Sequence, residues 1–330
     1  HNQVHRLSEK ARRAGAGLYL DLPLGTHPYG FDVWHERDLF VRDVTVGAPP
    51  DPVFTSGQDW GFHPVHPERS REQAHRYLIA CFRHQLASAG LLRIDHVMGL
   101  HRMFWIPKGF DFKNGVYVRY PAEELYAILS LESHRYRSVI VGENLGIVPA
   151  YVNQHMNRHN IQQMYLMQYA LRPDRQRPLK PIPSGSVAGL NSHDTPLFAS
   201  FWRQTDIEER LSLGLVDLEE ARKERKARKV RQSALLDYLK SKGLLRGRSG
   251  KAPSPSSILE ACLARLRRSR AGIALVNLED LWLETEPQNV PGSGERRPNW
   301  KRKTRFSFEQ VSTQKKLLGI LKRVQSGAKK

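Results

Sequence analysis

The 330-residue sequence predicts an α/β fold, in which the strands of a parallel sheet alternate with helices. Short, continuous apolar runs recur along the chain, and such runs are typical of parallel strands that are covered on both faces. Helix candidates lie between most of these runs, which is the order of elements in a βαβ architecture. Apolar residues make up 40% of the chain, with six Trp, 12 Phe and 11 Tyr among them, so a substantial core can form.

Six apolar runs are the strand candidates. In chain order they are residues 18–22, 91–94, 139–141, 164–169, 187–190 and 273–278. The helix candidates are residues 71–89, 122–133, 150–157 and 257–268. The second of these helices begins after Pro121, and proline is favoured in the first turn of a helix.

Two long connections interrupt the alternation. Residues 25–67 are rich in Gly, Pro and aromatic side chains. A connection of that length within an α/β domain more often has a function than serves only to join two elements. Residues 197–269 form an insertion that we expect to be helical and basic. We therefore expect the first connection to contribute to a functional site.

The positive charge is concentrated in the last third of the chain. The formal net charge is +19, of which residues 1–216 carry +3 and residues 217–330 carry +16. Within the basic run, Glu219 precedes Lys223 by four residues, and this spacing indicates a helix with a solvated, ion-paired face. A surface for polyanions is the alternative, although no zinc-finger, RRM or Walker spacing supports nucleic-acid binding.

The composition also limits the location and the kinds of site. Only two cysteines occur, Cys81 and Cys262, so a disulfide framework and a cysteine metal site are both excluded, and a reducing, cytoplasmic location is expected. No run approaches the roughly 18 apolar residues that a membrane helix needs. The first residue is His1 and not a methionine, as expected of a fragment.

Three carboxylates follow three of the predicted strands. Asp95, Glu143 and Asp194 each come within a few residues of the end of an apolar run. Because the C-terminal ends of parallel strands converge on one rim of an α/β barrel, we expect the three side chains to belong to one site. Arg93 and His96 flank Asp95 and would add hydrogen-bond donors.

Two chemistries use such a cluster. One is a hard metal site with oxygen ligands, and the other is glycosyl transfer by a pair of carboxyl groups. Aromatic residues near the predicted strand ends favour a sugar, because flat aromatic faces suit sugar rings, although any one of them could instead pack in a core. These residues are Trp34, Trp60, Phe62, Phe104, Trp105, Tyr117 and Tyr120.

At this point the sequence resembles a known family. The strings LRIDHVMGLHRMFWIP, VIVGENLGIVP and LNSHDTP, around the three carboxylates, resemble signature blocks of the amylomaltases, the 4-α-glucanotransferases of the α-amylase superfamily. The strings VGAPPD, GQDWG, VNLEDLW, QNVPGS and RPNWKRK extend the resemblance. It runs in order over nearly the whole chain, and residues 214–256 are the least characteristic part.

The resemblance implies a (β/α)8 TIM-type barrel. Residues 1–330 would form one catalytic barrel that is N-terminally incomplete and holds strands three to eight only. Residues 25–67 would be its active-site loop insertion, and residues 197–269 would be the basic helical insertion between the last two strands.

The family also implies a role for each of the three carboxylates. Asp95 resembles the nucleophile, and Glu143 resembles the general acid/base. Asp194 resembles the third carboxylate, which binds sugar hydroxyls and stabilises the transition state. In such a retaining reaction, Glu143 must be protonated while Asp95 is ionised, and the two carboxyl groups should lie about 5 to 5.5 Å apart.

Further residues match the substrate-binding positions of the family. Arg93, His96 and His193 match residues that hold the nucleophile and the donor sugar. The loop that covers the acceptor side would contain Asp51, Gln58 and Trp60. Asp21 matches an aspartate of architectural rather than catalytic role.

The activity implied by the resemblance is transfer of α-1,4-glucan segments from one maltooligosaccharide to another or to glucose. It proceeds through a covalent glucosyl-aspartate intermediate, and neither a cofactor nor a metal is expected. The expected partners are α-1,4-glucans and maltooligosaccharides, not a membrane or nucleic acid. An α-glucan hydrolase, a non-catalytic glucan-binding remnant and a polyanion-binding protein are the alternatives.

Overall fold

The computed structural model describes residues 2–50, 57–245 and 252–326 of the chain. The chain divides into two compact units, His1–Met164 and Tyr165–Lys330. Each unit has an apolar core of its own.

The first unit contains most of the strands. They are β1 (Tyr19–Leu22), β2 (Val44–Ala48), β3 (Gln58–Asp59), β4 (Leu91–Ile94), β5 (Arg102–Pro107), β6 (Val116–Arg119), β7 (Val139–Gly142) and β8 (Gln162–Leu166), whose last two residues belong to the second unit. The helices of the first unit are α1 (Asn2–Arg13), α2 (Phe31–His35), α3 (Pro67–Glu72), α4 (Arg76–Leu86), α5 (Ala122–Tyr136) and α6 (Ala150–Arg158). Short 3-10 helices cover Val97–Leu100 and Phe112–Asn114.

The second unit is mainly helical. Its elements are α7 (Met167–Ala170), β9 (Val187–Gly189), α8 (Phe198–Arg203), α9 (Thr205–Ser212), α10 (Leu218–Ser241), α11 (Pro255–Arg267), β10 (Ile273–Ala274), α12 (Phe308–Thr313) and α13 (Lys315–Ser326). Its 3-10 helices cover Leu278–Trp282 and Gly294–Arg296.

Parallel strands in the order β1-β4-β7-β8 form the main sheet of the first unit. The register places Leu22 opposite Ile94, and Ile94 opposite Gly142, so the C-terminal ends of three strands are aligned. Strand residues such as Leu92 pack against helix residues such as Leu129, and both are buried. The strands predicted at residues 18–22, 91–94 and 139–141 and the α/β alternation are thus confirmed.

A second, antiparallel sheet in the order β3-β2-β5-β6 was not predicted. Two of its strands lie within residues 25–67, which the sequence indicated as a loop throughout. The strands are short and interrupted by glycine and proline, so they lack a clear alternating pattern. Gly47 is required here, because a Cβ atom on it would lie 2.0 Å from the backbone oxygen of Gln58 on the neighbouring strand. Phe104 is buried in this sheet, so it is not an exposed platform for a sugar.

Two predicted strands were too long. Residues 164–169 continue from β8 into α7, and residues 273–278 end as a strand at Ala274. A continuous apolar run cannot distinguish a buried strand from a buried helix, which explains both errors. In the second unit β9 and β10 pair in parallel, with Val187 opposite Ile273.

The predicted helix at 71–89 is two helices, α3 and α4. The chain turns between them, where Ala74 and His75 both have positive φ values, of 50° and 54°. The other three helix predictions are confirmed to within a few residues of their ends.

The described part of residues 197–269 contains helices α8 to α11. Helix α10 begins with a capping box between Asp217 and Glu220, and Lys223 forms the expected ion pair with Glu219, at 2.6 Å. The basic run is not only a solvated face, however, because Arg228 is only 4% exposed. Within the described ranges, no helix combines the length and the apolar character that crossing a membrane requires.

Candidate active site

Asp95 and Glu143 stand at the ends of neighbouring strands. The register of β4 and β7 ends with Ile94 opposite Gly142, so the next residue of each strand carries a carboxyl group. The Glu143 N–H donates to the Ile94 carbonyl at 3.0 Å, and the Val97 N–H donates to the Glu143 carbonyl at 3.1 Å. Strand pairing therefore continues through the two acidic residues and places them side by side.

Arg93 contacts two carboxylates, Asp21 and Asp95. Its Nη1 donates to both carboxylate oxygens of Asp21, at 2.7 and 2.8 Å, and its Nη2 lies 2.8 Å from Asp95 Oδ1. Asp21 and Arg93 are opposite each other in the β1–β4 register, which explains the contact. Arg93 is only 6% exposed. Burial disfavours its charge, but Asp95 and Asp21 outweigh burial and raise its pKa. The guanidinium thus stays charged and orients Asp95.

Glu143 lies in a different electrostatic environment. Burial raises its pKa to about 7; Asp95 acts in the same direction, and Arg93 opposes the shift. The His96 N–H donates to Glu143 Oε2 at 2.8 Å, and the Leu145 N–H donates to Oε1 at 3.3 Å. A carboxyl group that titrates near neutral pH therefore stands beside one that an arginine contacts, which is an arrangement suited to acid catalysis next to a nucleophile.

His96 connects this pair to the aromatic side chains of the first unit. Its backbone is left-handed, with a φ of 43°, and this turn directs its N–H to Glu143. Burial lowers the pKa of the imidazole to about 4, so the ring is neutral near pH 7. The ring centroid lies 5.1 Å from that of Trp60, edge to face. Trp60 also stacks on Phe62 and donates from Nε1 to Gln58 Oε1 at 3.3 Å.

In the second unit, Asp194 and His193 form a cluster with Asn289 and Trp300. His193 Nε2 lies 3.0 Å from Asp194 Oδ2, and Asn289 Nδ2 donates to Asp194 Oδ1 at 2.8 Å. The ring of Trp300 lies 5.7 Å from that of His193, and Trp300 is 60% exposed. Asp194 is therefore fixed from two sides, with an exposed aromatic ring next to its histidine.

A buried aspartate supports this cluster from below. Asp280 accepts from the Phe198 N–H at 2.7 Å and from Asn191 Nδ2 at 2.8 Å. It is only 1% exposed, and burial raises its pKa to about 6 although both hydrogen bonds oppose the shift. These bonds fix both ends of the segment that carries His193 and Asp194.

The structure thus distributes the predicted site residues over two groups. Those brought together in the first unit are Asp95, Glu143, Arg93, His96, Gln58 and Trp60, and those in the second unit are Asp194 and His193. Asp51 lies outside the described residues. Of the remaining aromatic residues, Trp34 is exposed on α2, and the Tyr120 hydroxyl donates to the Val65 carbonyl at 2.7 Å.

Sequence reasoning did not single out Asn289, Trp300 or Asp280. All three lie in strings that carried the family resemblance, but a lone amide, ring or carboxylate in an irregular segment gives no spacing from which to infer a contact. In the part of the chain that the structure describes, no three His, Cys, Asp or Glu side chains are arranged to hold a metal ion.

Comparison with known proteins gives the family. A family model described as 4-alpha-glucanotransferase matches residues 1–308. The chain belongs to the 4-alpha-glucanotransferase family. It is 32% identical to the 4-alpha-glucanotransferase of Haemophilus influenzae over 308 residues, which cover 91% of this chain and 44% of that protein. The chain therefore spans less than half the length of this relative.

Solved structures agree with the family. The crystal structure of amylomaltase from Corynebacterium glutamicum matches with a TM-score of 0.86 and 26% identity, over 99% of this chain and 48% of that one. The amylomaltase from Streptococcus agalactiae in complex with acarbose matches with a TM-score of 0.75 and 18% identity, over 99% and 60%, and shows the fold alone. The matches and the parallel strands with their helices confirm an α/β TIM-type fold.

Proposed function

We propose that the protein carrying this chain is a retaining 4-α-glucanotransferase that acts on α-1,4-glucans. The observation that carries the proposal is the pair at the ends of β4 and β7: Asp95 contacts the Arg93 guanidinium, and the neighbouring Glu143 has a pKa raised to about 7. A retaining glycosyl transfer needs an ionised nucleophile next to a protonated acid. Membership of the 4-alpha-glucanotransferase family supports the same activity.

The reaction has two steps. In the first, a carboxylate oxygen of Asp95 attacks the anomeric carbon while Glu143 gives its proton to the glycosidic oxygen, so that the bond breaks and a glucosyl ester of Asp95 forms. In the second, the Glu143 carboxylate takes a proton from the acceptor hydroxyl, whose oxygen attacks the anomeric carbon and releases Asp95. Both carboxyl groups return to their starting states. The separation of 5 to 5.5 Å between them stays a prediction.

We propose the other site residues as sugar ligands. Neutral His96 can donate one hydrogen bond to a hydroxyl of the donor sugar, and Trp60 with Gln58 offers a ring face and an amide for the acceptor. Asp194 and His193 are proposed to bind donor hydroxyls, on the strength of the family motif. Asp51 is proposed for the acceptor side on the same ground.

We further propose that the parallel strands are strands three to eight of an eight-stranded catalytic barrel formed by residues 1–330 and the rest of the protein. Residues 25–67 would then be an active-site insertion and residues 197–269 a helical insertion between the last two strands. The cytoplasmic location stays a prediction.

Incubation of the purified protein with maltotriose tests the proposed function. Glucose together with maltotetraose and maltopentaose is the expected result, because transfer lengthens some chains as it shortens others. Glucose and maltose alone would identify a hydrolase. A folded protein that binds maltotriose without turnover would favour the glucan-binding remnant.

A further inference from the structure

Arg297 holds together the segment that supplies Asn289 and Trp300. Its Nη2 donates to the Pro287 carbonyl at 2.6 Å, two residues before Asn289. Its Nη1 donates to Asn299 Oδ1 at 3.0 Å, one residue before Trp300. The third contact runs from Nε to Glu209 Oε1 on helix α9, at 2.8 Å. The segment has two arms, residues 287–290 and residues 297–300. The Arg297 guanidinium links both arms to helix α9.

The two arms are also bonded to each other. The Trp300 N–H donates to the Gln288 carbonyl at 2.8 Å, and the Val290 N–H donates to Asn299 Oδ1 at 3.1 Å. These bonds involve Gln288 and Val290, the residues on either side of Asn289. A displacement of one arm therefore displaces both Asn289 and Trp300.

The insertion gives Arg297 a rigid support. Helix α9 is joined to α10 by the buried pair of Arg228 and Asp206, at 2.5 Å. Glu224 of α10 contacts Arg228 and also Arg210 of α9. Removing one partner of a buried ion pair is costly, because the other charge is then left buried and uncompensated. A helix held in this way is a suitable anchor for an irregular segment.

We propose that Arg297 is a positioning residue: held by Glu209, it fixes Asn289 and Trp300 against Asp194 and His193. The basic helical insertion then orients the sugar-binding groups around Asp194, which gives a purpose to a part of the chain that the mechanism does not use. The proposal rests on the proposed function and concerns the same site.

The expected effect is on turnover more than on substrate binding. Without the guanidinium, three acceptors each lose one donor, and we expect Asn289 and Trp300 to move relative to Asp194. A misplacement of about 1 Å can cost about 100-fold in rate, so we expect Arg297→Met to lower kcat by about 10- to 100-fold. Since the lost alignment acts in the transition state, KM should change much less.

A double-mutant cycle tests whether Arg297 acts through the two residues. In a variant with Asn289→Ala and Trp300→Ala, adding Arg297→Met should lower kcat by less than about threefold, because the groups it positions are gone. An equal loss in both backgrounds would overturn the proposal. Glu209→Gln serves as a second variant that keeps a hydrogen-bond acceptor, and it should show a smaller loss with the same dependence on background.

Amide hydrogen exchange provides a readout that does not depend on turnover. Arg297→Met and Glu209→Gln should speed exchange at the Val290 and Trp300 amides, whereas Arg323→Met, which breaks an arginine–glutamate pair between α11 and α13, should not. Unchanged exchange at both amides would refute the proposal. If the wild-type protein shows no turnover but exchange responds as expected, the proposed function fails and the positioning role stands.

Discussion

At the residue scale, the proposed chemistry depends on two carboxyl groups that differ in their surroundings. Asp95 contacts the Arg93 guanidinium, which Asp21 also contacts, whereas Glu143 is buried and accepts hydrogen bonds from two backbone N–H groups. Burial favours the neutral form of an acid, and a nearby cation favours the ionised form. Neighbouring positions in a sheet thus acquire different electrostatic surroundings.

The raised pKa of Glu143 predicts the alkaline limb of the pH profile. The acid must be protonated for the first step, so kcat/KM for maltotriose should fall as the pH rises through about 7. Initial rates at low substrate concentration between pH 5 and 9 measure this limb. A profile that is flat to pH 9 would contradict the role of Glu143 as acid.

Replacing the acid gives a second prediction. Glu143→Gln should lower transfer from maltotriose by about 1,000-fold or more but spare the release of fluoride from α-maltotriosyl fluoride, because fluoride needs little protonation to leave. The control is Glu68→Gln, which replaces an exposed glutamate of α3 in the first unit. Equal losses on both substrates in the Glu143 variant would count against the assignment.

At the element scale, the antiparallel sheet positions Gln58 and Trp60. Gly47→Ala would place a Cβ atom 2.0 Å from the Gln58 carbonyl oxygen, so β3 must move away from β2. We expect transfer to fall by about 10-fold or more with the fold retained, since displacements of about 1 Å can cost 100-fold. Product formation at increasing glucose acceptor concentration measures this loss.

The control for that variant is Gly109→Ala. Unlike Gly47, Gly109 has a positive φ, of 83°, and a Cβ there meets no atom within 4 Å. Its substitution therefore adds backbone strain of about 1–2 kcal/mol without moving a strand. Full activity of Gly47→Ala, or an equal loss in both variants, would show that the sheet does not set the position of Trp60.

The support beneath Asp194 predicts a stability effect that depends on pH. Burial raises the folded-state pKa of Asp280 from its ordinary value to about 6, so the folded state binds the proton more tightly. The contribution of this group to stability is then complete below about pH 4 and is lost as the pH rises through about 6.

Asp280→Asn removes this dependence. The amide cannot accept from both Phe198 and Asn191 in the way a carboxyl group does, so we expect a loss of about 1–3 kcal/mol in the free energy of unfolding. The deficit relative to wild type should shrink as the pH rises from 4.5 to 7, measured by urea unfolding at each pH. A deficit that grows with pH would contradict the raised pKa.

Much of the fold, and the position of Asp95 and Glu143 at neighbouring strand ends, follow from local sequence patterns. The strand ends that carry Asp95 and Glu143 could be predicted because the side chains directly follow continuous apolar runs. The β2–β5 pairing could not, because it joins short segments with no regular alternation. Asn289 and Trp300 meet Asp194 and His193 through irregular chain, where residue spacing does not determine geometry.

At the scale of the whole molecule, the charge of +19 invites a role in polyanion binding. That figure already subtracts the carboxylates, including those paired with Arg228, Arg297 and Arg302 in the second unit. The proposed substrate is neutral. The excess charge therefore has no direct part in the proposed reaction.

A neutral substrate predicts that turnover depends only weakly on salt concentration. Turnover of maltotriose should change by less than about twofold between 50 and 300 mM NaCl, because screening acts on exposed charges and the substrate carries none. Binding to heparin, measured over the same range, serves as the comparison, since polyanion binding falls steeply with salt. A steep salt dependence of maltotriose turnover would contradict the neutral-substrate account.

The most direct test of the central claim is to trap the intermediate. The Glu143→Gln variant is mixed with α-maltotriosyl fluoride, quenched in acid, digested and analysed by mass spectrometry. Because the fluoride leaves without an acid while the second step lacks its base, a maltotriosyl adduct should accumulate on Asp95. An adduct on another residue, or rapid fluoride release with Asp95 unmodified and turnover retained in Asp95→Asn, would contradict the account.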